Sequence, residues 1–187
     1  SKYIGGFKAG TQKFEEVVKQ TFPTARVLRM DMDTTRGKHG HQDILEAFRR
    51  QEADILIGTQ MIVKGHDFPN VTLVGVLAAD LSLNASDFHS GERTFQLLTQ
   101  AAGRAGRGDI PGNVVMQTYQ PKHYSIVAAK EQNYEAFYEE EIAYRELMDY
   151  PPAAHMLLIL VTSEKEEDAD LCAKELAETI EKEASHV

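Results

Sequence analysis

The sequence lacks most of what would assign it a role at once. Cysteine occurs a single time, as Cys172, in 187 residues. One thiol excludes an internal disulfide framework and any paired-cysteine zinc site within the chain. No run of 18 apolar residues occurs, so nothing reads as a membrane span. The opening Ser1-Lys-Tyr-Ile-Gly5 has none of the long apolar core of a signal peptide. Together these absences point to a reducing, cytoplasmic setting. Also missing is any Gly-x-x-x-x-Gly-Lys-Ser/Thr, the loop whose backbone amides cradle phosphates.

What is present fits one domain of ordinary size, or one domain plus part of another. The 42% hydrophobic content is enough for a packed core, and 26% charged residues is ordinary for a globular chain. The net charge of −9 is unevenly spread. Residues 1–120 carry 14 Lys/Arg and 13 Asp/Glu, whereas residues 121–187 carry 6 and 16. An acidic balance argues against a free-standing nucleic-acid binder, because phosphate contacts dominate such affinity. It leaves open one lobe of a larger machine that touches a strand along a narrow edge.

Periodicity predicts alternating helices and strands. Gln12–Gln20 reads as a helix capped by Thr11, with Phe14, Val17 and Val18 as its buried stripe. Arg26–Met30 reads as a short strand, closed by the polar loop Asp31–Thr35, and His41–Arg50 as a helix facing inward with Ile44, Leu45 and Phe48. Asp54–Gly58 and Val71–Leu77 are apolar runs too short for helices, and so read as buried parallel strands. A helix over 91–102 and a strand over 112–119 complete a doubly wound α/β layer with a mostly parallel sheet. Ligands bind beyond the carboxyl ends of such strands, so the loops 31–37, 59–68, 80–90 and 103–109 are expected to gather there. This layer occupies 1–120. A helical connector follows over 121–150, ended by Tyr150-Pro151-Pro152. Residues 151–187 read as the start of a C-terminal domain, with a strand at Met156–Thr162 and an acidic helix at Glu164–Glu183. A lone strand and helix make a poor domain, so the chain is expected to be a fragment.

Two stretches carry chemistry. Gln100-Ala-Ala-Gly-Arg-Ala-Gly-Arg107 follows an apolar run, and one helical turn would put Arg104 and Arg107 on one face. Paired guanidiniums suit a triphosphate, whose oxygens they grip in a bidentate fork. Gly103 and Gly106 leave room for a backbone to come close. A solvated helix end accounts for the spacing equally well. In Ile57–Asn70, a buried strand runs into Thr59-Gln60 and on to Lys64-Gly65 and Asp67. Thr59 has a hydroxyl for a phosphate, Gly65 permits a tight turn, and Asp67 suits a sugar hydroxyl or an arginine. A capped strand and turn with a solvated Lys64 accounts for these residues too.

The first of these stretches resembles motif VI of superfamily 2 helicases, and Thr59–Asp67 resembles their motif V, in the order and spacing of a RecA-like second lobe. The wording is most similar to the bacterial primosomal replication-restart helicases. It runs through GTQKFEE at 10–16, RMDMDTT at 29–35, DILIGTQMIVKGHDFPNVTLVGVLAAD at 54–80 and DFHSGERTFQLLTQAAGRAGRG at 87–108. PGNVVMQTY at 111–119 and YPP at 150–152 continue it, so the resemblance covers about 10–160. It implies an ATP-dependent 3′-to-5′ DNA helicase that reassembles the primosome at stalled forks. Arg104 and Arg107 would then reach ATP on a first lobe, with Gln100 beside the γ-phosphate. Gly65 and Asp67 would couple nucleotide to DNA. Thr59, with Gln60, would hold the DNA backbone, and Thr34 and Thr35 are further candidates for phosphate contacts, although turn-forming threonines fit those positions as well.

The same resemblance implies ATP with magnesium, held mainly by a first lobe, since this chain has neither phosphate loop nor a DE-x-H-like acidic box. It implies zinc in a cysteine-paired module before residue 1, and forked or single-stranded DNA, primosome proteins and single-strand-binding protein as partners. Alone, this lobe is expected to be inactive. There are departures. His89 stands where the family carries arginine in DF-x-x-x-ERT, and Ala85-Ser86 replace Leu-Pro, so no DNA contact is assigned to that loop. His39, His41 and His66 lack carboxylates or cysteines at ligand spacing and read as loop histidines. Cys172 reads as a small core residue, and Phe137, Tyr138, Tyr144 and Tyr150 as the packing face of a helix. The rival readings are the second lobe of a RecG-like branch-migrating helicase and a non-catalytic RecA-like interaction module with an acidic docking face.

Overall fold

The computed structural model describes residues 10–35, 40–63, 68–85, 87–106 and 111–184. The alternation of short apolar runs with amphipathic segments appears as α1 (Thr11–Thr21), β1 (Val27–Met30), α2 (Gly40–Arg49), β2 (Ile55–Gly58), β3 (Leu73–Val76), α3 (Ser90–Ala102), β4 (Asn113–Met116), α4 (Tyr124–Glu131), α5 (Tyr134–Leu147) and α6 (Glu166–Ala184). Single 3-10 turns occupy Gln60–Val63 and Ala79–Leu81. Strands β1 and β2 are parallel, with Val27 opposite Ile55 and Met30 opposite Gly58. Strands β3 and β4 are also parallel, with Leu73 opposite Asn113 and Val76 opposite Met116. Among the described residues the expected single sheet is thus two parallel pairs. The β3–β4 pair half-buries one face only: Val74, Val76, Val114 and Met116 are half-buried while Leu73 and Val115 are exposed.

The chain divides into two units, Ser1–Tyr144 and Arg145–Val187. In the first, one apolar cluster joins Ala79, Phe95, Leu98, Ile126, Ala128, Ala129 and Phe137. Small residues at 128 and 129 let α4 lie close on α3. Phe95 and Phe137 stack with centroids 4.2 Å apart. Of the aromatic series on α5, Phe137 packs as expected, whereas Tyr138 and Tyr144 are exposed. A second cluster joins Met30, Leu45 and Phe68, with Ile44, Phe48, Leu56, Ile62 and Val71 packed against it. It closes the carboxyl ends of β1 and β2, as the inward face expected for α2 requires.

Helix α1 differs from expectation at both its cap and its stripe. Gly10 is the cap residue, and only Val18 of the expected stripe is buried. Thr11 instead spends its hydroxyl on a distant partner, donating to Asp31 Oδ2 at 2.5 Å. The amides of Asp33 and Thr34 donate to Asp31 Oδ1 at 3.0 and 2.9 Å, and an Arg29 nitrogen lies 3.0 Å from Oδ2. Each donor favours the carboxylate over the acid. The bond from Thr11, then that from Thr34, hold Asp31 down at about 2.

In the second unit the Arg145 Nη1 donates to the Pro151 carbonyl at 2.9 Å. Met156–Thr162, expected as a strand, belongs to no ladder, because a strand exists only where a neighbour takes its backbone groups. Helix α6 buries none of its residues, so Cys172 is exposed rather than a core residue. No described helix is long and apolar enough to cross a membrane.

The Asp31 turn generates a pH prediction. A carboxyl lowered on folding stabilises the fold fully above its unfolded pKa of about 4, and loses that contribution as pH falls towards 2. Thr11→Val removes the leading donor. The Asp31 titration followed by NMR should move up towards the ordinary carboxylate range. The variant should be about 1 kcal/mol less stable to urea at pH 7, and the gap should close as the pH approaches 2.

Candidate functional site

Strand β2 ends at Gly58, opposite Met30, where no side chain fits. A Cβ there would stand 2.6 Å from the Met30 carbonyl oxygen and 2.8 Å from Ile62 Cγ2. Glycine lets the chain turn at once into Gln60–Val63, closed by Ile62 N–H donating to the Thr59 carbonyl at 3.2 Å. Thr59 and Gln60 stand exposed at the carboxyl edge of the β1–β2 pair. The Asp31–Thr35 turn shares that edge. There Thr34 Oγ1 accepts from the Asp31 amide at 2.9 Å, and Thr35 Oγ1 donates to the Asp31 carbonyl at 2.7 Å. Either hydroxyl would have to leave this turn to donate to a phosphate. Gly65 and Asp67, with Lys64, lie outside the described residues. The chain re-enters at Phe68, whose ring meets that of Phe48 edge-on at 5.1 Å, and the Val71 amide donates back to the Phe68 carbonyl at 3.1 Å.

Helix α3 buries Gly91, Thr94, Phe95, Leu98 and Ala101, a stripe at helical spacing, and leaves Gln100 exposed on the far face. Its first turn is fixed by a buried polar pair. Tyr124 Oη donates to Glu141 Oε2 at 2.6 Å, and a Cβ on Gly91 would meet both atoms. Burial, then that bond, push the Tyr124 hydroxyl well above its ordinary range.

At its other end α3 stops sooner than the arginine spacing implies. The Gly103 amide donates to the Thr99 carbonyl at 3.0 Å and the Arg104 amide to the Ala101 carbonyl at 3.1 Å. Gly106 then takes φ +71, outside the helical region, and donates to the Val71 carbonyl at 3.1 Å. Arg104 therefore lies half-buried in a turn beyond the helix. Arg107 itself lies outside the described residues.

This turn also sits at the opposite end of its strand pair from the one expected. It bonds to Val71 and passes beside Gly112, at the amino ends of β3 and β4. The reason is geometric: a helix joining two parallel strands runs back antiparallel to them. Its exit loop must lie at the amino edge. The two motif-bearing stretches nevertheless meet, because α3 packs against the Gln60–Val63 turn and Val71 belongs to the cluster around Met30 and Phe68.

Asp80 carries weight that its place at the end of an apolar run does not announce. It is buried and accepts from Thr118 Oγ1 and from the Tyr119 amide. Burial pushes its carboxyl up, but the bonds from Thr118, Tyr119 and Gln120 outweigh burial and hold it below the ordinary range. The advance signal was an acid a few residues beyond a strand. His89, the departure noted above, lies with Nδ1 3.0 Å from Asp87 Oδ1, while Arg93 pairs with Asp87 Oδ2. Among the described residues no three His, Cys, Asp or Glu side chains converge at metal-ligand spacing.

Residues 6–109 match the helicase conserved C-terminal domain family. The chain belongs to that family. The match, the parallel strands and the flanking helices fit an α/β RecA-like fold. The chain is also similar to proteins named replication restart protein PriA. It is 52% identical to that of Bacillus subtilis over 177 residues, 95% of this chain and 22% of the relative. Identity is 48% to that of Synechocystis over 189 residues, 97% of this chain and 23% of the relative. It is 40% to that of Haemophilus influenzae over 169 residues, 90% of this chain and 23% of the relative. The chain thus spans between a fifth and a quarter of the length of these three relatives.

The tightness at Gly58 is testable within this helicase domain. Gly58→Ala pushes a Cβ into the Met30 carbonyl and should lower stability by about 1–3 kcal/mol in urea unfolding. An unchanged midpoint would mean that the two strand ends stand further apart.

Proposed function

We propose that this chain is the second RecA-like lobe of an ATP-driven 3′-to-5′ DNA helicase acting in replication restart. The observation that carries the proposal is the junction of its two motif-bearing stretches. The Gln60–Val63 turn packs on α3, and the Gly106 amide is bonded to Val71, which follows the other stretch in the chain. A contact with DNA at Thr59 and Gln60 and a contact with phosphate at Arg104 therefore act on one compact unit.

In this reading Arg104 and Arg107 reach a triphosphate held on another lobe and stabilise the charge that develops as its γ-phosphoryl group passes to water. Gln100, exposed one turn before Arg104, lies beside the γ-phosphate. Gly65 and Asp67 link the nucleotide to the strand. Thr59 and Gln60 hold the DNA backbone, a contact that carries no sequence information. Thr34 and Thr35 contribute as phosphate donors only by leaving the Asp31 turn. Magnesium, in this reading, would be held by carboxylates of the other lobe and would neutralise phosphate charge there. Zinc, primosome proteins and single-strand-binding protein belong to the longer protein that this reading implies. Closure of two such lobes on ATP and reopening after hydrolysis would move the pair along a strand.

Arg104→Ala or Arg107→Ala in the full-length protein should lower DNA-stimulated ATP hydrolysis by about 10³-fold or more. Survival of full hydrolysis in both variants would leave the lobe a scaffold. The isolated chain should hydrolyse no ATP above background, and turnover by the pure fragment would contradict the two-lobe account.

A further inference from the structure

We infer that Gly112 is a positioning residue for Arg104, because the crossing of its backbone with that of Gly106 sets where the arginine turn stands. The inference rests on the reading of Arg104 as a phosphate-reaching arginine. Two passes of the chain bond to consecutive carbonyls at the start of β3. The Gly106 amide donates to the Val71 carbonyl at 3.1 Å, and the Asn113 amide donates to the Thr72 carbonyl at 2.8 Å. The passes run so close that a Cβ on Gly112 would stand 2.2 Å from the Gly106 nitrogen, 2.4 Å from the Ala105 carbonyl carbon and 2.6 Å from Ala105 Cβ. Conversely, a Cβ on Gly106 would stand 2.4 Å from the Gly112 nitrogen.

Every one of these atoms is backbone or a Cβ. None is the free end of a flexible side chain that could swing aside. Any side chain at 112 must therefore displace the turn Gly103–Gly106, which carries Arg104. Strand β4 is held by its ladder with β3, so the turn is the part that gives. Gly106 is constrained twice, by space and by its φ of +71, but Gly112 by space alone. Substitution at 112 therefore isolates the crossing from backbone strain. The same Val71 whose carbonyl receives Gly106 gives its amide to Phe68. The crossing thus also fixes the arginine turn relative to the stretch that carries Thr59.

The test is made in the full-length protein, with Gly112→Ala beside Arg104→Ala and Gly75→Ala, the last adding a Cβ that meets nothing within 4 Å in this chain. Gly112→Ala should lower kcat for DNA-stimulated ATP hydrolysis by about tenfold to a hundredfold, as a misplacement of about 1 Å does. KM for ATP should stay within about twofold and nucleotide-free DNA affinity should be unchanged, since the change spares ground-state binding. Gly75→Ala should match the parent. Loss of hydrolysis in Arg104→Ala with parental kcat in folded Gly112→Ala overturns the inference and leaves the proposed function standing. Full hydrolysis in Arg104→Ala overturns the inference together with the reading of Arg104 on which it rests. Should Gly112→Ala not fold, hydrogen exchange of the Gly106 amide in the parent protein decides. Protection should rise when a non-hydrolysable ATP analogue binds in the presence of DNA, and unchanged protection overturns the inference.

Discussion

The candidate site depends on a small apolar cluster, Met30, Leu45 and Phe68, which closes the carboxyl ends of β1 and β2. Met30 is fully buried, and its carbonyl stands so near Gly58 that only glycine fits opposite it. Ile62 and Val71 pack against the same cluster, so the Thr59 turn and the start of β3 are fixed together. From Val71 one hydrogen bond passes to Gly106, and the arginine turn is thereby located without belonging to any helix or strand. Burial of a few side chains supplies the driving force. Glycines at 58, 106 and 112 supply the close approach.

Around this centre, polar groups are placed where burial would otherwise be unfavourable. Asp31 and Asp80 both follow strands, and each gathers amides and a threonine hydroxyl about its carboxylate. Glu141 receives the Tyr124 hydroxyl beneath the first turn of α3. Such pairing lets carboxylates sit inside without an uncompensated charge. It also ties loops to elements distant in sequence, as Asp80 does with 118–120.

Much of this was legible in the sequence. The positions of β1 to β4 and α1 to α3 followed from short apolar runs and helical stripes, because burial on one face leaves a period in the chain. Gly106 as a point of close backbone approach was readable too. Other features were not. Arg104 reads as part of a helical turn because spacing alone cannot show that α3 ends at Ala102. The turn stands at the amino edge because α3 runs back antiparallel to its strands, a direction that residue patterning does not carry. Gly112 gave no local signal because a close crossing of backbones leaves no residue pattern, and Glu141 gave none because its partner Tyr124 lies on a different helix. Thr34 and Thr35 read as donors for a phosphate or as turn formers, and their bonds to Asp31 decide between these only once the chain is folded.

The central claim is that Arg104 and Arg107 complete a phosphate site whose other half lies on a different lobe. The most direct measurement is a structure of the full-length protein with a non-hydrolysable ATP analogue and single-stranded DNA. The account predicts guanidinium nitrogens of both arginines about 3 Å from γ-phosphate oxygens, with the Gly106 amide still bonded to the Val71 carbonyl. A closed, nucleotide-bound structure in which both guanidiniums face solvent would contradict it.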